Sequence, residues 1–357
     1  MPANGLLCYC RAGFESDLAA ELTERAAAAG VAGHARAQRD SGFVEFLSHD
    51  GEALCRALPF DALVFARQKL ELLAELRGLD PKDRITPMLE ALSATGGGAL
   101  RDPPYGGLVV EHPDSEAGKP LSGLARSFAN ALRPALRRHG LLATSPDPLL
   151  PRLHVCFTAG DHAFLARGMP GDSSPWPLGI PRLKLHADAP SRSALKLEEA
   201  FLVLLDDAQR ASWLRAGMTA ADLGAAPGGW SWVLARRGVY VAAIDNGPMR
   251  RQVIDTGLVD HQRADGFLWR PRRTLDWLVC DMVEQPSRVA RRMGEWFREG
   301  WCRRAIFNLK LPMKKRWQET RLCLDLFLET AGVPLATRAR QLYHDREEVT
   351  VLAHPPA

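Results

Sequence analysis

Lysine is the scarce basic residue of this sequence. Of the 46 lysine and arginine residues only eight are lysines, and the other 38 are arginines. Because an arginine guanidinium does not lose its proton near neutral pH, a lysine in a chain that otherwise uses arginine is a candidate for proton transfer. The eight lysines are Lys69, Lys82, Lys119, Lys184, Lys196, Lys310, Lys314 and Lys315.

Motifs for metal binding and for disulfide bonding are also absent. The chain contains no C-x-x-C pair and no H-E-x-x-H motif, and its seven cysteines are scattered. Scattered cysteines in odd number are typical of a reducing compartment, so we expect free thiols, no metal site and a cytoplasmic location. No apolar run approaches the ~20 residues that a membrane span requires, and the first residues lack the pattern of a signal peptide.

The length and the charge distribution indicate about two domains. A chain of 357 residues is long enough for two or slightly more. Residues 1–190 hold 20 Lys and Arg against 22 Asp and Glu, whereas residues 191–357 hold 26 against 20, which together give the net charge of +4. The change of sign follows a Pro- and Gly-rich passage. Such a passage predicts a linker or an ordered loop, here over residues 169–190.

The order of strand and helix patterns predicts an α/β fold. The first 168 residues have the mixed patterns of an α+β region. From residue 195 onward, apolar strand patterns alternate with helices, beginning with one long helix over 195–214, which indicates a parallel, doubly wound sheet. The last two β-rich segments are joined by the short turn 344–346, so the final strand is expected to be antiparallel.

A glycine-rich turn between a predicted strand and a predicted helix carries the clearest ligand signal. It follows the pattern D-x-G-x-x-P-G-G over residues 222–229. The dinucleotide motif G-x-G-x-x-G is not met, because Ala226 stands in the wrong place and Pro227 has no N–H to offer a pyrophosphate. The turn therefore favours an amino-acid-bearing nucleoside such as S-adenosylmethionine. The expected contacts of the turn with this cofactor are Ala226, Pro227, Gly228 and Gly229.

Two carboxylates are expected beside such a nucleoside. Asp245 lies at the tip of the second predicted strand, 21 residues after Gly224, where it would accept hydrogen bonds from both ribose hydroxyls. A helix N-cap is the alternative role for Asp245. Asp265 would lie at the tip of the third strand and accept from an adenine amino group, although an Asp before Gly266 is also typical of a turn.

The second half of the chain resembles a known family. It is similar to the FtsJ-like ribose 2'-O-methyltransferases over residues 191–352, through the segments DLGAAPGGWS, SRSALKLEEAF, LVCDM, FNLKLPM and REEVTV. The whole order of parts resembles the RlmM family more closely. These bacterial enzymes methylate the 2'-hydroxyl of a cytidine in 23S ribosomal RNA, with S-adenosylmethionine as cofactor.

The resemblance also implies a domain organisation. It predicts a ferredoxin-like piece over residues 1–75, a THUMP-like RNA-binding domain over 76–168, and a Rossmann-like methyltransferase domain over 191–357 after the linker. The implied partner is large-subunit ribosomal RNA. Two alternatives stay open: a tRNA ribose methyltransferase, and a non-catalytic RNA-binding factor for ribosome assembly.

Four charged residues at the ends of predicted elements form the candidate catalytic set: Lys196, Asp281, Lys310 and Glu348. The carboxyl ends of parallel strands face the ligand crevice, so Asp281 and Lys310 can converge there. The resemblance implies that Lys310 takes the 2'-hydroxyl proton and that Asp281 orients Lys310. It also implies that Asp281 and Ser193 border the cofactor, and that Lys196 and Glu348 hold the ribose. The choice between Glu347 and Glu348, and the direction of the Lys310 pKa shift, stay open.

Basic clusters in loops of the second half favour RNA as the substrate. Their side chains would bind phosphates, and Trp230 or Trp317 would stack on an exposed base. Because a base within a duplex must first be exposed, we expect unpaired or incompletely assembled RNA. The clusters are Arg250 and Arg251, then Arg270, Arg272 and Arg273, and then Lys314, Lys315 and Arg316.

Overall fold

The chain divides into two compact units, each built on one seven-stranded sheet. The structure is a computed structural model that describes residues 5–95 and 104–356. The units are Met1–Pro181 and Arg182–Ala357, so the boundary lies within the Pro- and Gly-rich passage. The predicted fold class, a doubly wound α/β sheet with an antiparallel final strand, preceded by an α+β region, is confirmed.

The first unit contains a mostly antiparallel sheet with the strand order β2-β3-β1-β4-β7-β6-β5. Only the pairing of β5 with β6 is parallel among its described strands. The elements are β1 (Gly5–Tyr9), α1 (Glu15–Ala28), β2 (His34–Ala37), β3 (Phe43–Leu47), α2 (Gly51–Ala57), β4 (Gln68–Arg77), α3 (Ile85–Thr95), β5 (Gly107–Glu111), α4 (Ser122–Arg138), β6 (Arg152–Ala159) and β7 (His162–Gly168).

Two strands of this sheet, β2 and β4, were not indicated by the sequence pattern, and β4 is the longer of them. Five of the first six residues of β4 are buried, so both faces of the strand are covered there. The polar and apolar alternation that identifies a half-exposed strand is therefore missing. The strand pairs with β1 on one side and with β7 on the other. It therefore joins the regions predicted as ferredoxin-like and THUMP-like into one continuous sheet.

The second unit contains the predicted doubly wound sheet, with the strand order β10-β9-β8-β11-β12-β14-β13. The strands from β8 to β12 pair in parallel, and β14 enters antiparallel between β12 and β13. The elements are α5 (Ala194–Leu204), α6 (Asp207–Trp213), β8 (Thr219–Leu223), α7 (Gly229–Ala235), β9 (Tyr240–Ile244), α8 (Arg251–Ile254), β10 (Val259–Gln262), β11 (Trp277–Cys280), α9 (Pro286–Arg298), β12 (Ala305–Lys310), α10 (Arg316–Ala331), β13 (Ala336–Arg340) and β14 (Glu348–His354).

The single helix predicted over residues 195–214 is wrong, because α5 and α6 are separate helices. The first helix ends at Leu204, since Leu205 is already extended, and Asp206 caps the second. The Asp206 carboxylate accepts from the Gln209 backbone N–H at 2.7 Å, and the Gln209 side chain accepts from the Asp206 N–H at 3.1 Å. This reciprocal capping box satisfies two N–H groups that a helix start would otherwise leave unpaired.

The central strands of the second unit are buried because helices cover both faces of the sheet. All four residues of β11 and the first five of β12 are buried. On one face, Phe201 of α5 and the α7 residues Val233 and Leu234 pack with Trp277 of β11. Parallel strands that are covered in this way lose the alternating pattern and become continuously apolar. A polar side chain inside such a strand therefore needs specific hydrogen-bond partners.

Candidate active site

The pairing of β12 with β14 places two members of the candidate set face to face. Lys310 lies opposite Glu348 in the antiparallel register, and two residues further in, Asn308 lies opposite Thr350. Side chains two residues apart in a strand point to the same face of the sheet. These four side chains therefore form one polar patch at the end of β12.

The other two members reach this patch from neighbouring elements. Asp281 directly follows β11, whose last residue, Cys280, pairs with Phe307, so Asp281 lies beside Asn308. Lys196 comes from the first turns of α5. All four residues of the predicted set are brought together by the fold.

Each lysine contacts both carboxylates. The Lys310 Nζ lies 3.0 Å from Asp281 Oδ1 and 2.5 Å from Glu348 Oε1. The Lys196 Nζ lies 3.2 Å from Asp281 Oδ2 and 2.5 Å from Glu348 Oε2. The four side chains are between 10% and 21% exposed. We call this closed arrangement of two ammonium groups and two carboxylates the charged ring.

The charged ring decides the protonation state of Lys310. Burial alone lowers the pKa of this lysine, but the carboxylates of Asp281 and Glu348 outweigh burial, so the pKa of Lys310 is raised above its ordinary value. Without substrate, the lysine is therefore an ammonium at neutral pH. Only the minor, neutral form of Lys310 can accept a proton.

The structure distinguishes the two neighbouring glutamates. Glu348 contacts both lysines, whereas Glu347 turns away and accepts from the Arg316 guanidinium at 2.8 and 2.6 Å. Adjacent residues of a strand point to opposite faces, so only one of the two can join the ring. Glu348 is the glutamate that does so.

A buried amide completes the ring, and the sequence analysis did not single it out. Asn308 is fully buried, and its Nδ2 lies 2.9 Å from Asp281 Oδ1 and 3.2 Å from Glu348 Oε2. The available signal was the spacing of Asn308 and Lys310, two polar residues that alternate within an otherwise apolar strand. That spacing places both on one face.

The glycine turn is packed tightly against its neighbours. Gly224 and Gly228 have φ angles of +78° and +110°, which side chains rarely adopt. A Cβ atom on Gly229 would lie 2.1 Å from the Ser193 Oγ. The backbone carbonyl of Ser193 also accepts a hydrogen bond from the indole N–H of Trp230, at 3.1 Å. The turn and the segment before α5 are thus held together, with Ser193 beside the turn.

The two aspartates predicted to meet the nucleoside have different environments. Asp245 accepts from the backbone N–H of Ala226 at 2.9 Å and from that of Gly247 at 2.7 Å, so it links the tip of β9 to the glycine turn. Asp265 is exposed and accepts from the Phe267 N–H at 2.8 Å in a local turn. Contacts of either aspartate with a nucleoside stay predictions.

Asp222, at the end of β8, is a further candidate that the sequence analysis did not assign. It is 1% exposed; one oxygen accepts from the Ser231 hydroxyl at 2.6 Å, and the other, Oδ1, has no hydrogen-bond partner within the described part of the chain. Burial raises the pKa of Asp222 to about 7, against the opposing hydrogen bond from Ser231. A buried carboxylate oxygen without a donor, next to a glycine turn, fits a cationic group of a ligand.

The basic clusters do not all lie near the ring. Lys314 and Lys315 are exposed in the loop that follows β12, and Arg250 is exposed in the loop that follows β9, so both loops leave the carboxyl ends of strands. The cluster of Arg270, Arg272 and Arg273 instead precedes β11. It lies at the amino ends of the strands, where Asp276 N–H donates to the carbonyl of Thr219, the first residue of β8.

Three residues proposed for RNA contacts are buried. Arg316 is 7% exposed and pairs with Glu347. Trp230 and Trp317 are 3% and 7% exposed, so neither indole presents a face on which a nucleobase can stack. The contribution of these residues is therefore to packing.

Comparison with protein families covers both units. The model described as "RlmM ferredoxin-like domain" matches residues 3–70, that of "Ribosomal RNA large subunit methyltransferase M, N-terminal" matches residues 83–168, and that of "FtsJ-like methyltransferase" matches residues 189–297. A curated protein of Xanthomonas campestris pv. campestris (strain B100), named ribosomal RNA large subunit methyltransferase M, is 64% identical over 98% of this chain and 99% of its own length.

The chain belongs to the RlmM family of methyltransferases. A relative of the same name from Stenotrophomonas maltophilia (strain R551-3) is likewise 64% identical, over 98% of this chain and 97% of its own length. The predictions of an RlmM-type enzyme and of S-adenosylmethionine as its cofactor are confirmed at the level of the family. The roles of individual residues are not decided by these matches.

Across residues 5–95 and 104–356, no three or more His, Cys, Asp or Glu side chains form a group that could hold a metal ion. No described helix is both long and apolar enough to cross a bilayer. All seven cysteines are free thiols.

The unpartnered oxygen of Asp222 predicts a pH-dependent affinity for S-adenosylmethionine, whose amino-acid part carries an ammonium group. Only the ionised carboxylate attracts this group. Because the pKa of Asp222 is about 7 in the chain without ligand, the ionised fraction grows as the pH rises from 6 to 7.5. Cofactor affinity measured by calorimetry should increase roughly fivefold to tenfold over this range.

The substitution Asp222→Asn should weaken binding and remove this increase, whereas Asp260→Asn, at an exposed position of β10, should leave both unchanged. An unaltered pH dependence in Asp222→Asn would show that another group controls the affinity.

Proposed function

We propose that this chain methylates the 2'-hydroxyl of a cytidine ribose in large-subunit ribosomal RNA, with the charged ring as its catalytic centre. The observation that carries the proposal is the ring itself: Lys310 projects from the end of β12 with two carboxylates in contact with its Nζ. Such a group suits a reaction that requires removal of a hydroxyl proton and little else from the protein. The identity of the nucleotide rests on the family resemblance alone.

The residues around the glycine turn fit S-adenosylmethionine. When bound, the cofactor supplies an electrophilic methyl group on a sulfonium. Asp222 would hold its ammonium group, Asp245 its ribose and Asp265 its adenine. The turn from Ala226 to Gly229, together with Ser193, would border the amino-acid part, and Asp281 would lie between this site and the ring.

The side chains of the ring would divide the remaining work. Lys310 would receive the 2'-hydroxyl proton at Nζ from the incoming ribose, and Asp281 and Glu348 would hold that nitrogen in position. Lys196 balances the second negative charge, so that the ring is neutral when both lysines are protonated. Positioning of this kind is worth several orders of magnitude in rate, because a bimolecular proton transfer becomes local.

The surface near the ring supports RNA as the partner. The exposed side chains of Lys314 and Lys315 lie four and five residues after Lys310, where phosphates flanking the target ribose would pass. A ribose within a duplex is poorly accessible, so unpaired or incompletely assembled RNA is the proposed form, encountered in the cytoplasm. The region 76–168 would act as a THUMP-like RNA-binding domain.

Two other functions are less well supported. A non-catalytic assembly factor has no need of all four ring residues, and the chain retains them in mutual contact. A tRNA substrate would use the same ring, but the curated relatives over nearly the full chain are named for large-subunit ribosomal RNA.

Replacing Lys310 tests the proposed base. Lys310→Ala and Lys310→Arg should each lower the rate of methyl transfer to large-subunit RNA at least ~100-fold, because alanine has no acceptor and arginine does not lose its proton. Label from S-adenosylmethionine is measured on RNA from cells that lack the protein. Calorimetry should show cofactor binding retained, and the exposed Lys184→Ala variant should transfer at the wild-type rate.

The wild-type pH profile belongs to the same test. With the pKa of Lys310 raised, the neutral amine is scarce at pH 7, so kcat/KM for RNA should rise with pH from 7 to 9 without reaching a plateau. A plateau below pH 8, or an active Lys310→Arg variant, would rule out Lys310 as the base.

The position of the basic clusters predicts which of them bind phosphate. Lys314→Gln with Lys315→Gln should weaken RNA binding and reduce the dependence of log affinity on log salt by roughly 0.7 for each single-strand phosphate that the variant no longer binds. The double variant Arg272→Gln with Arg273→Gln, at the amino ends of the strands, removes the same charge and should leave the salt dependence unchanged. Equal effects in the two double variants would indicate non-specific charge attraction instead.

A further inference from the structure

Behind the charged ring lies a layer of buried polar side chains. Asn308, Thr350 and Asp345 are each at most 1% exposed. The Thr350 Oγ1 lies 2.8 Å from Asn308 Oδ1 and 2.9 Å from Asp345 Oδ2. Asn308 in turn contacts both carboxylates of the ring. A continuous chain of hydrogen bonds therefore links the turn before β14 to the ring.

The direction of each hydrogen bond follows from the charges of the ring. Asp281 and Glu348 are paired with lysines and act only as acceptors, so the Asn308 NH₂ group must face them and its Oδ1 must face Thr350. A hydroxyl has a single proton. Thr350 therefore donates to Asn308, and its contact with Asp345 requires a proton from the Asp345 carboxyl.

The surroundings of Asp345 favour this neutral form. The carboxyl is buried, and its Oδ2, which contacts Thr350, also accepts from the Leu342 N–H at 3.0 Å. This hydrogen bond favours the ionised form, and burial outweighs it. Burial, and next the negative charge of Glu348, raise the pKa of Asp345 well above its ordinary value. The charged groups that act on it include Glu348 on β14 and Glu199 and Lys196 on α5, and the buried Arg340 of β13 lies opposite Thr350.

We propose that neutral Asp345, Thr350 and Asn308 are positioning residues for the methyl transfer, which orient the Asn308 amide so that both carboxylates stay aligned on Lys310. The proposal rests on the proposed function of the ring. The three residues touch no reacting atom, and the Asp345 proton stays in place throughout. Their contribution is geometric, since a shift of about 1 Å in a reacting group can cost a hundredfold in rate.

Threonine at position 350 allows a matched test. Thr350→Val keeps the shape but removes the hydroxyl, so the Asn308 amide loses its orientation, and kcat should fall roughly tenfold, as for the loss of one buried hydrogen bond. Thr350→Ser keeps the hydroxyl and should restore most of the rate. Thr337→Val, the same change at an exposed position of β13, serves as the control. The KM for S-adenosylmethionine should stay within twofold of wild type.

Asn308→Asp supplies a readout that a purely structural role would not alter. An ionised carboxylate at this position cannot donate to the ring and adds a negative charge near Lys310. The added negative charge should therefore raise the pKa of Lys310, measured by NMR of its side chain in the chain without RNA, whereas loss of packing would lower the rate without raising that pKa.

The protonation of Asp345 is tested in the wild-type chain, independently of any activity. The infrared spectrum at pH 8 should contain a protonated carboxyl band that is missing from Asp345→Asn. Absence of this band, a folded Thr350→Val with the wild-type kcat, or a Thr350→Ser as slow as Thr350→Val would overturn the proposal. If the wild-type chain transfers no methyl group, the proposed function fails instead, and the infrared band still decides the state of Asp345.

Discussion

Mutual neutralisation of two lysines and two carboxylates at the end of β12 is the constraint on which the rest of the site depends. A single buried ion would lose several kcal/mol of hydration, and removing one partner of a buried pair leaves the other uncompensated. Here each charge contacts two of the opposite sign. The strands and the helix that carry these residues must therefore keep their relative positions.

The antiparallel entry of β14 and the placement of α5 meet this requirement together. The β12–β14 register sets Glu348 opposite Lys310. The helix α5 supplies Lys196, and three residues later the buried Glu199 accepts from the backbone N–H groups of Tyr343 and His344, both at 2.8 Å. Residues three apart lie on one face of a helix. One helix face thus holds both the ring and the turn that leads into β14.

Sequence patterns predicted the second unit better than the first, for physical reasons. Alternating strands and helices are explicit from residue 195 onward, and the glycine turn at 222–229 indicated the carboxyl ends of the strands, where the charged ring also lies. The strand β4 was missed because burial on both faces removes alternation. The break at Asp206 was missed because no proline or glycine separates the two short helices, so in sequence they look like one long helix.

The site required three-dimensional information that no local pattern contains. Glu347 and Glu348 are equivalent in the sequence, and only the strand register separates them. The cluster of Arg270, Arg272 and Arg273 lies in the segment between β10 and β11. Its position at the amino ends of the strands depends on how far this segment has returned along the sheet before residue 270. The direction of the Lys310 pKa shift depends on distances, because burial and the carboxylates act in opposite senses.

If the charged ring acts on a ribose hydroxyl, the methyl group of the product must lie on a ribose, and alkaline hydrolysis distinguishes this from a methylated base. Large-subunit RNA labelled by the wild-type chain is hydrolysed with alkali, a reaction that requires a free 2'-hydroxyl next to each phosphodiester. A methyl group on the ribose blocks cleavage at that nucleotide, so we expect the label in alkali-resistant dinucleotides. Recovery of the label in mononucleotides would place the methyl group on a base and contradict the proposed function.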